Sequence, residues 1–577
     1  MSDRDSKMPP IDRRRVLKGL AAGSLLPLLG GNLLGCSDSD DTFNPDPGVA
    51  ASFRHGVASG DALDNSVIIW TRATPVTPGL VRIRWEVASD EAFDSIVASG
   101  EGTTTAEVDY TAKVDVGGLD AGTTYFYRFL VQEVASPVGR TRTLPTGSVA
   151  ATSFAVVSCS NYPAGFFNVY REIADRDVDA VLHLGDYIYE YGIDGYASDR
   201  AEEFGRVSEP GTEILSLDDY RTRYAQYRSD ADLQACHAAH PFYVVWDDHE
   251  ITNDTWRDGA ENHQPDTEGD FDERVAVALQ AWYEWSPIRP PSSNREVIYR
   301  QFQFGDLVDL LMLDTRLIGR DQQLSYGDYL NGDMLDIDSA RAAINDPTRQ
   351  LLGEDQNAWL KDRLTNSTTT WQALGQQVLV GRYNLPASIL LALDPSFGGS
   401  LQDGIAAVLA SVAAKNTPED QRTPEQQALL DSAIPYNLDA WDGYGFNRDD
   451  LLTHAASVDA KLVTLAGDTH NAWAAQLTDT QGNPVGVEFA TASVTSPGLE
   501  GVLGADAAAL FEGPIVTLID DLQYTNLSDR GWMEVTFTPT AATADWYFVS
   551  NVDSTTYTLM ENRAASRSVS VNDLQLG

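Results

Sequence analysis

Five short apolar runs in this chain each stop abruptly at residues able to bind a metal, and no other feature limits the possible folds so strongly. The runs cover 153–158, 180–184, 242–246, 307–313 and 462–466. Cys159, Ser160 and Asn161 close off the first, and the second runs into Gly185-Asp186-Tyr187-Ile188-Tyr189-Glu190. The third is followed by Asp247-Asp248-His249-Glu250 and then Asn253-Asp254. The fourth ends in Asp314-Thr315-Arg316, and the fifth in Gly467-Asp468-Thr469-His470-Asn471. Apolar runs of this length read as buried strands. Loops at the carboxyl ends of such strands converge on one crevice. A single strand-end Asp is as easily a cap or turn residue, and a lone Cys after a strand is usually a small buried hydrophobe. Five strand ends carrying Cys, Asp, Tyr, His and Asn together point instead to a shared site.

Carboxylates gathered in one crevice repel each other unless cations neutralise them. Their hard oxygens suit Ca²⁺, Mg²⁺, Mn²⁺ or Fe³⁺, whereas a thiolate and an imidazole suit a transition metal. Tyr189, three residues after Asp186, adds a phenolate that favours ferric iron. A mixed-metal cluster follows. The charge balance agrees, with 85 acids against 40 bases giving −45. Such a chain offers no broad nucleic-acid-binding face, because it repels a polyphosphate backbone. An anionic substrate would need a local reversal of the field, which bound metal ions supply.

The 577 residues are too many for one ordinary domain. Residues 51–148 hold alternating β-rich stretches separated by Gly and Asp turns, such as Val81 to Val87 and Tyr125 to Val131. They predict a small antiparallel sandwich of the immunoglobulin or fibronectin type. Residues 149–555 mix apolar strands with helical stretches, including 165–175 and 273–285, and predict an α/β layered domain with central sheets flanked by helices. Residues 390–440, rich in Ala, Gln and Leu, read as a helical insertion that either covers a site or decorates an edge. Residues 556–577 read as a C-terminal tail. Three cysteines cannot make a disulfide scaffold. Cys236 falls in a helical stretch, where core packing is its expected role.

The first thirty-five residues read as an address. Arg13 and Arg14 precede an apolar stretch loosened by Gly23, Pro27, Gly30 and Gly31, which resembles a twin-arginine export signal. The same breaks and the short length argue against a transmembrane helix. Leu33-Leu34-Gly35-Cys36 resembles a bacterial lipoprotein cleavage box with Cys36 as the lipidated residue; the alternative is an incidental cysteine. Residues 36–50, polar and with two prolines, read as a tether. The expected partners are therefore the twin-arginine machinery and a lipid anchor. The expected location is the periplasm or cell surface.

Gly185-Asp186 with Tyr189, the Asp248-His249-Glu250 run and Gly467-Asp468-Thr469-His470 resemble sequence blocks of the calcineurin-like metallophosphoesterases. The first block of that wider family is replaced here by Ser158-Cys159-Ser160-Asn161. Asp248 stands where Asn is usual, and Asp468 where the first His is usual. These departures match one branch, the PhoD-type alkaline phosphatases. Gly56 to Asp61, Ile69 to Arg72, Trp246 to Glu250, Tyr283-Glu284 before Pro287 to Pro290, and Leu313 to Arg316 are also PhoD-like. The resemblance covers about residues 52–555 and leaves 390–440 unplaced.

That resemblance implies one Fe³⁺ and two Ca²⁺. Cys159 and Tyr189 would ligate iron, Asp186 would bridge iron and calcium, and Asp248 and Asp468 would complete the cluster. Asn253 and His470 are further candidate ligands, with His470 alternatively orienting one. His249 either donates a proton to the leaving alkoxide or holds Asp248. Asn161 and Arg316 either contact phosphate oxygens or make structural hydrogen bonds. The implied activity is release of inorganic phosphate from phosphomonoesters, phosphodiesters or both, by in-line attack of a metal-held hydroxide. A phospholipase D-like diesterase of the same fold is one alternative. A calcium-binding adhesive lipoprotein is another, but it would have no use for Cys159 or Tyr189.

Overall fold

The computed structural model describes residues 48–291, 294–332, 334–393 and 397–577. The export-signal stretch, Cys36 and most of the tether lie outside them. Two large sheets form the frame. One has nine strands, the other seven. In the first, Thr152–Val157, Ala180–His183 and Pro241–Val244 run parallel side by side. In the second, Val308–Met312, Trp371–Gly375, Leu462–Ala466 and Pro484–Ala490 do the same. These strands are buried on both faces, which is why they read as unbroken apolar runs rather than alternating ones.

Ala155, Val157 and Leu182 of one sheet share a continuous core with Val463, Leu465 and Phe489 of the other. Helices cover the outer faces. Phe271–Trp285 starts at Asp270, whose side chain accepts from the Asp272 N–H, and buries Val275, Leu279 and Trp282. On the far side, Gly353–Asn366 and Gly445–Ser457 seat Leu360, Leu364, Leu451 and Leu452 in a second core. The layered α/β architecture expected for the larger part is therefore present. Among the described residues no helix is long and apolar enough to cross a membrane.

Within the N-terminal part, Val81–Ala88, Ile96–Thr104, Thr124–Val131 and Gly139–Arg142 form an antiparallel sheet. Tyr125, Tyr127, Phe129 and Val131 point inward, and the residues between them are half-buried. The facing layer is Val57–Gly60, Ser66–Arg72 and Thr111–Gly117, and it is not separate from the larger sheet. Val57–Gly60 pairs in parallel with Pro241–Val244, so strand pairing runs straight across the boundary drawn near residue 150. The stretch 556–577 also departs from its reading as a tail. Ala565–Ser570 adds an edge strand beside Ala541–Val549, and Leu574 and Leu576 are buried. Six residues with three serines carry too little apolar pattern to announce a strand.

Three helices, Ala387–Leu393, Leu401–Asn416 and Pro424–Asp431, occupy the stretch read as an insertion. A short ladder, Asn384–Pro386 against Ala433–Pro435, closes its base.

Gly60 and Asp61 carry the seam between the two parts. A Cβ on Gly60 would lie 2.3 Å from the Phe242 carbonyl oxygen and 2.5 Å from that of Pro287. Asp61 takes an ion pair from Arg300 at 2.8 Å, and its carboxylate also accepts the Arg289 N–H at 2.9 Å. Gly60→Val should therefore cost about 1–3 kcal/mol or more through overpacking against backbone that cannot move aside. Chemical denaturation monitored by tryptophan fluorescence measures this; wild-type stability in the variant would show the seam to be slack.

Candidate metal centre

The strand ends do converge. Cys159, Asp186, Asp468 and His470 all sit in the left-handed region, with φ of 61°, 57°, 61° and 63°. A conformation that L-residues with a Cβ adopt at a cost, repeated at four chemistry-bearing positions, marks a place where tertiary contacts override local preference. Those contacts are visible. The Cys159 N–H donates to the Gly185 carbonyl (3.2 Å) and the Ser160 N–H to that of Asp186 (2.9 Å). Gly185, at φ 108°, lets its loop close on the next one, since a Cβ there would lie 2.3 Å from the Asp247 Cβ. Glu250 sits beneath, its carboxylate accepting the N–H groups of Asp186 (3.0 Å), Asp247 (2.6 Å) and Tyr187.

Three overlapping groups of donor atoms result, each with its atoms within 4.8 Å of one another: Cys159, Asp186 and His470; Asp186, Asp248 and His249; Asp247, Asp248 and Asp468. Asp186 and Asp248 each belong to two groups. Tyr189 leans on the first, donating to Asp186 Oδ2 at 3.0 Å with its hydroxyl 3.3 Å from His470 Nε2. His470 is oriented from behind by the Pro497 carbonyl, 2.6 Å from Nδ1. Cys159, Asp186, Tyr189, Asp248 and Asp468 therefore line one hollow, with His249 and His470 at its edge.

The electrostatics are lopsided. Burial pushes the Asp247 carboxyl far above the usual carboxylate range, and the charges of Asp248, Asp186 and Asp468 add to it despite Arg316. Burial and Asp439 do the same to Asp468. Burial, then the Asp186 charge, lifts Glu250 to about 8. Burial, then Asp439 and Asp248, lifts Asp254 to about 7. Asp248 moves down, to about 2, because Arg316 and His249 outweigh its burial, and His249 lowers Glu190 against its burial as well. Burial, reinforced by Asp186, drives the Cys159 thiol and the Tyr189 phenol upward. One carboxylate oxygen each of Asp186 and Asp247 is buried with no hydrogen-bond partner. Unpartnered buried oxygens facing a thiol, a phenol and an imidazole are the donor set of a cation site.

His249 differs from the other members of its group. Its Nδ1 lies 2.6 Å from Glu190 Oε2, and both side chains are buried. Burial alone would strip the imidazole of its proton, but Glu190, Asp186 and Asp248 outweigh that and hold it charged. The ring stands in the Asp186–Asp248 group with its Nδ1 committed to Glu190.

Of three further candidates, Arg316 and Asn161 make structural hydrogen bonds, one of the two roles expected of them, and Asn253 is bonded outside the donor groups. Arg316 is fully buried and spent on carboxylates: Nε on Asp247, Nη1 on Asp439 (2.9 Å) and Nη2 on Asp468 (2.8 Å). It organises the acids, a carboxylate engaging each of its three nitrogens. Asn253 turns away, its amide donating to Glu261 at 2.8 Å. Asn161 is buried beside the Tyr196 carbonyl, to which its amide donates at 3.2 Å. Asp247, Glu190, Glu250 and Asp439 join the site without having been singled out. The first three stand inside the strand-end runs, and that position was the available signal; nothing near Asp439 in sequence marks it. Cys159 and Cys236 are both free and buried, the latter in the core.

Two family models match the chain. Residues 154–546 match a PhoD-like phosphatase, and residues 39–145 match the N-terminal domain of PhoD-like phosphatases. Alkaline phosphatase D of Bacillus subtilis (strain 168) is 34% identical over 560 residues, covering 93% of this chain and 84% of that protein. A solved structure of PhoD superposes with a TM-score of 0.74 at 31% identity, covering 92% of each chain.

The raised carboxyls fix the sign of a pH effect. In folded, chelated protein they keep protons that the unfolded chain has already released, from the ordinary carboxylate range up to about 8 for Glu250. The folded state then binds more protons than the unfolded one, so stability falls as pH rises through that window. The melting temperature in chelator should therefore drop between about pH 5 and pH 8, and added calcium and iron should flatten the drop. A melting temperature that climbs with pH in chelator would contradict the charge assignment.

Proposed function

The chain belongs to the PhoD-like phosphatase family and is a phosphoester hydrolase, and from that premise we propose that its buried cluster takes one Fe³⁺ and two Ca²⁺ and that the enzyme hydrolyses phosphomonoesters, phosphodiesters or both, inorganic phosphate leaving when the last ester bond is cut. The observation that carries this reading is the sharing of Asp186 and Asp248 among three adjoining donor groups. Cys159, Tyr189 and His470, with Asp186, offer the soft and phenolic donors that hold ferric iron. Asp186, Asp247, Asp248 and Asp468 offer the hard oxygens that hold calcium. When bound, such ions lower the pKa of a water and offset the charge on the phosphoryl oxygens.

The protein's own groups complete the chemistry. His249, charged and fixed by Glu190, donates its Nε2 proton to the leaving oxygen. Glu190 keeps the ring in place by also accepting from the Asn253 N–H (2.9 Å) and the Asn262 amide (2.9 Å). Arg316 holds Asp247, Asp439 and Asp468 in register, so those acids do not swing apart under their own repulsion. A thiol and a phenol that must lose protons to bind iron favour activity at alkaline pH.

Purified protein should hydrolyse p-nitrophenyl phosphate and its bis-ester at alkaline pH and contain iron and calcium by elemental analysis. Asp186→Ala should lower activity by at least about a hundredfold and empty the iron site; Cys159→Ala should remove the iron with it. Activity that persists in Asp186→Ala or in strong chelator would defeat the reading.

We further propose export by the twin-arginine route with a lipid on Cys36, supported by the Arg13-Arg14 pair and the Leu33 to Cys36 box. Replacing both arginines with lysine should block export, and mass spectrometry of the mature N-terminus should find the lipid. Unchanged secretion of the lysine variant would remove the route.

A further inference from the structure

The outer face of the N-terminal antiparallel sheet runs against the charge balance of the chain. Strand register sets Arg82, Arg84 and Glu86 on that face with Arg128, Arg140 and Arg142, and Glu101 beside them. Five arginines and two glutamates thus stand at outward positions, in a chain of 85 acids and 40 bases. Arg128 is matched by Glu86 at 2.7 Å and Arg142 by Asp179 at 2.5 Å. Arg84 is exposed and Arg140 half-buried, and neither makes an ion pair among the described residues.

The tether arrives at the same sheet. The Val49 N–H donates to the Leu80 carbonyl (3.0 Å), the Val76 N–H to the Ala50 carbonyl (2.8 Å) and the Gln132 amide to the Gly48 carbonyl (3.4 Å). Around these bonds Val76, Leu80 and Val134 are 76%, 42% and 47% exposed. Leu80 directly precedes the strand that carries Arg82 and Arg84, and Val134 closes the hairpin at Val131. Scattered exposed valines would mean little. Apolar side chains gathered at one end of a cationic face have the make-up of a surface that lies in a lipid headgroup layer.

We infer that this face docks on an anionic phospholipid bilayer and sets the orientation of the enzyme on it. The inference rests in part on the reading of Cys36 as a lipidated residue. From Cys36 to Gly48 the chain reaches about 40 Å at full extension, so an acyl chain on Cys36 holds the face within that distance of the membrane. A tether fixes distance and not orientation. Guanidinium groups fix orientation, since each one near an anionic surface strengthens binding about fivefold. The acidic remainder of the molecule opposes this weakly, because charges more than about 10 Å from the headgroups are screened. By charge alone, Asp38, Asp40, Asp41 and Asp46 of the tether compete for the arginines. They offer nothing to Val76, Leu80 and Val134, and neither does a free polyanion, whereas a bilayer satisfies both kinds of side chain.

Vesicle sedimentation tests the inference, using the metal-loaded mature chain with Cys36→Ala so that no acyl chain contributes, and no free calcium. At about 0.1 M salt this chain should bind mixed phosphatidylglycerol–phosphatidylcholine vesicles at least about tenfold more tightly than pure phosphatidylcholine vesicles, and about 0.5 M salt should erase the difference. Arg84→Glu with Arg140→Glu should weaken binding to the mixed vesicles about twentyfold or more. Leu80→Ser with Val134→Ser should weaken it about threefold. Melting temperature and hydrolysis of p-nitrophenyl phosphate should match the parent chain in both variants. The salt series requires neither variant. Refusal of anionic vesicles by the parent would overturn the inference and leave the arginines to the tether's aspartates. Full binding by the arginine variant would overturn it as well. Full binding by the serine variant would replace the bilayer with a polyanion, which also overturns it. Lipidation is read separately, by mass of the mature N-terminus, so the failure of one reading is distinguishable from the failure of the other.

Discussion

Buried negative charge governs this molecule. Asp186, Asp247, Asp248, Asp439 and Asp468, with Glu250 and Asp254 beside them, meet where water is excluded or nearly so. The protein sets Arg316, Arg320 and the His249 imidazolium against them, and His249 is already matched by Glu190. Each ion moved out of water costs several kcal/mol unless it is paired with good geometry. Three cations cannot balance seven acids, and the upward shifts at Asp247, Asp468, Glu250 and Asp254 express the deficit. Everything about the surrounding fold works to hold that unfavourable cluster together.

Much of this was legible in the residues. The parallel strands announced themselves as unbroken apolar runs because burial on both faces removes any need for alternation. Leu462–Ala466 and Ala180–His183 fall where the pattern put them to within a residue. The chemistry at their ends was legible for the same reason: polar residues directly after a buried strand can only lie in the loops at its carboxyl edge. The antiparallel N-terminal sheet showed the complementary signal, period-two alternation in Thr124–Val131.

What escaped detection depends on contacts far apart in the chain. Asp439 reaches Arg316 across 123 positions, and nothing local at residue 439 marks it. The fusion of the N-terminal layer with the larger sheet rests on two paired positions, Ser59 with Pro241 and Gly60 with Phe242, too few to leave a pattern. Arg316 shows a different failure. A guanidinium at a phosphate-handling site suggests an anion contact by residue type. Its actual partners are decided by burial, and in a hollow already crowded with carboxylates those acids engage all three of its nitrogens. Asp247 was readable as a strand-end acid. That it turns inward together with Asp248 follows from Glu250, whose carboxylate binds the Asp247 N–H and sharpens the turn.

Placement of the donors and compensation of their charge are separate problems here, and the fold solves only the first by itself. Backbone bonds do the placing: Cys159 to Gly185, Ser160 to Asp186, the Ile251 N–H to the Asp248 carbonyl (2.7 Å) and the Ser493 N–H to the His470 carbonyl (3.2 Å). None of these bonds involves a carboxylate oxygen. The loop tips are therefore fixed in large part by backbone atoms that do not titrate, with the Glu250 carboxylate beneath them, while the side chains they carry remain short of positive charge. That arrangement differs from small metal-folded domains, in which ligation itself supplies the folding energy. In this chain two large sheets and a shared core supply it, and part of that stability offsets the strain at four left-handed residues and the repulsion among their neighbours. The site is thus destabilised where it must act and supported from beneath, by Glu250 under three N–H groups and Glu190 behind His249.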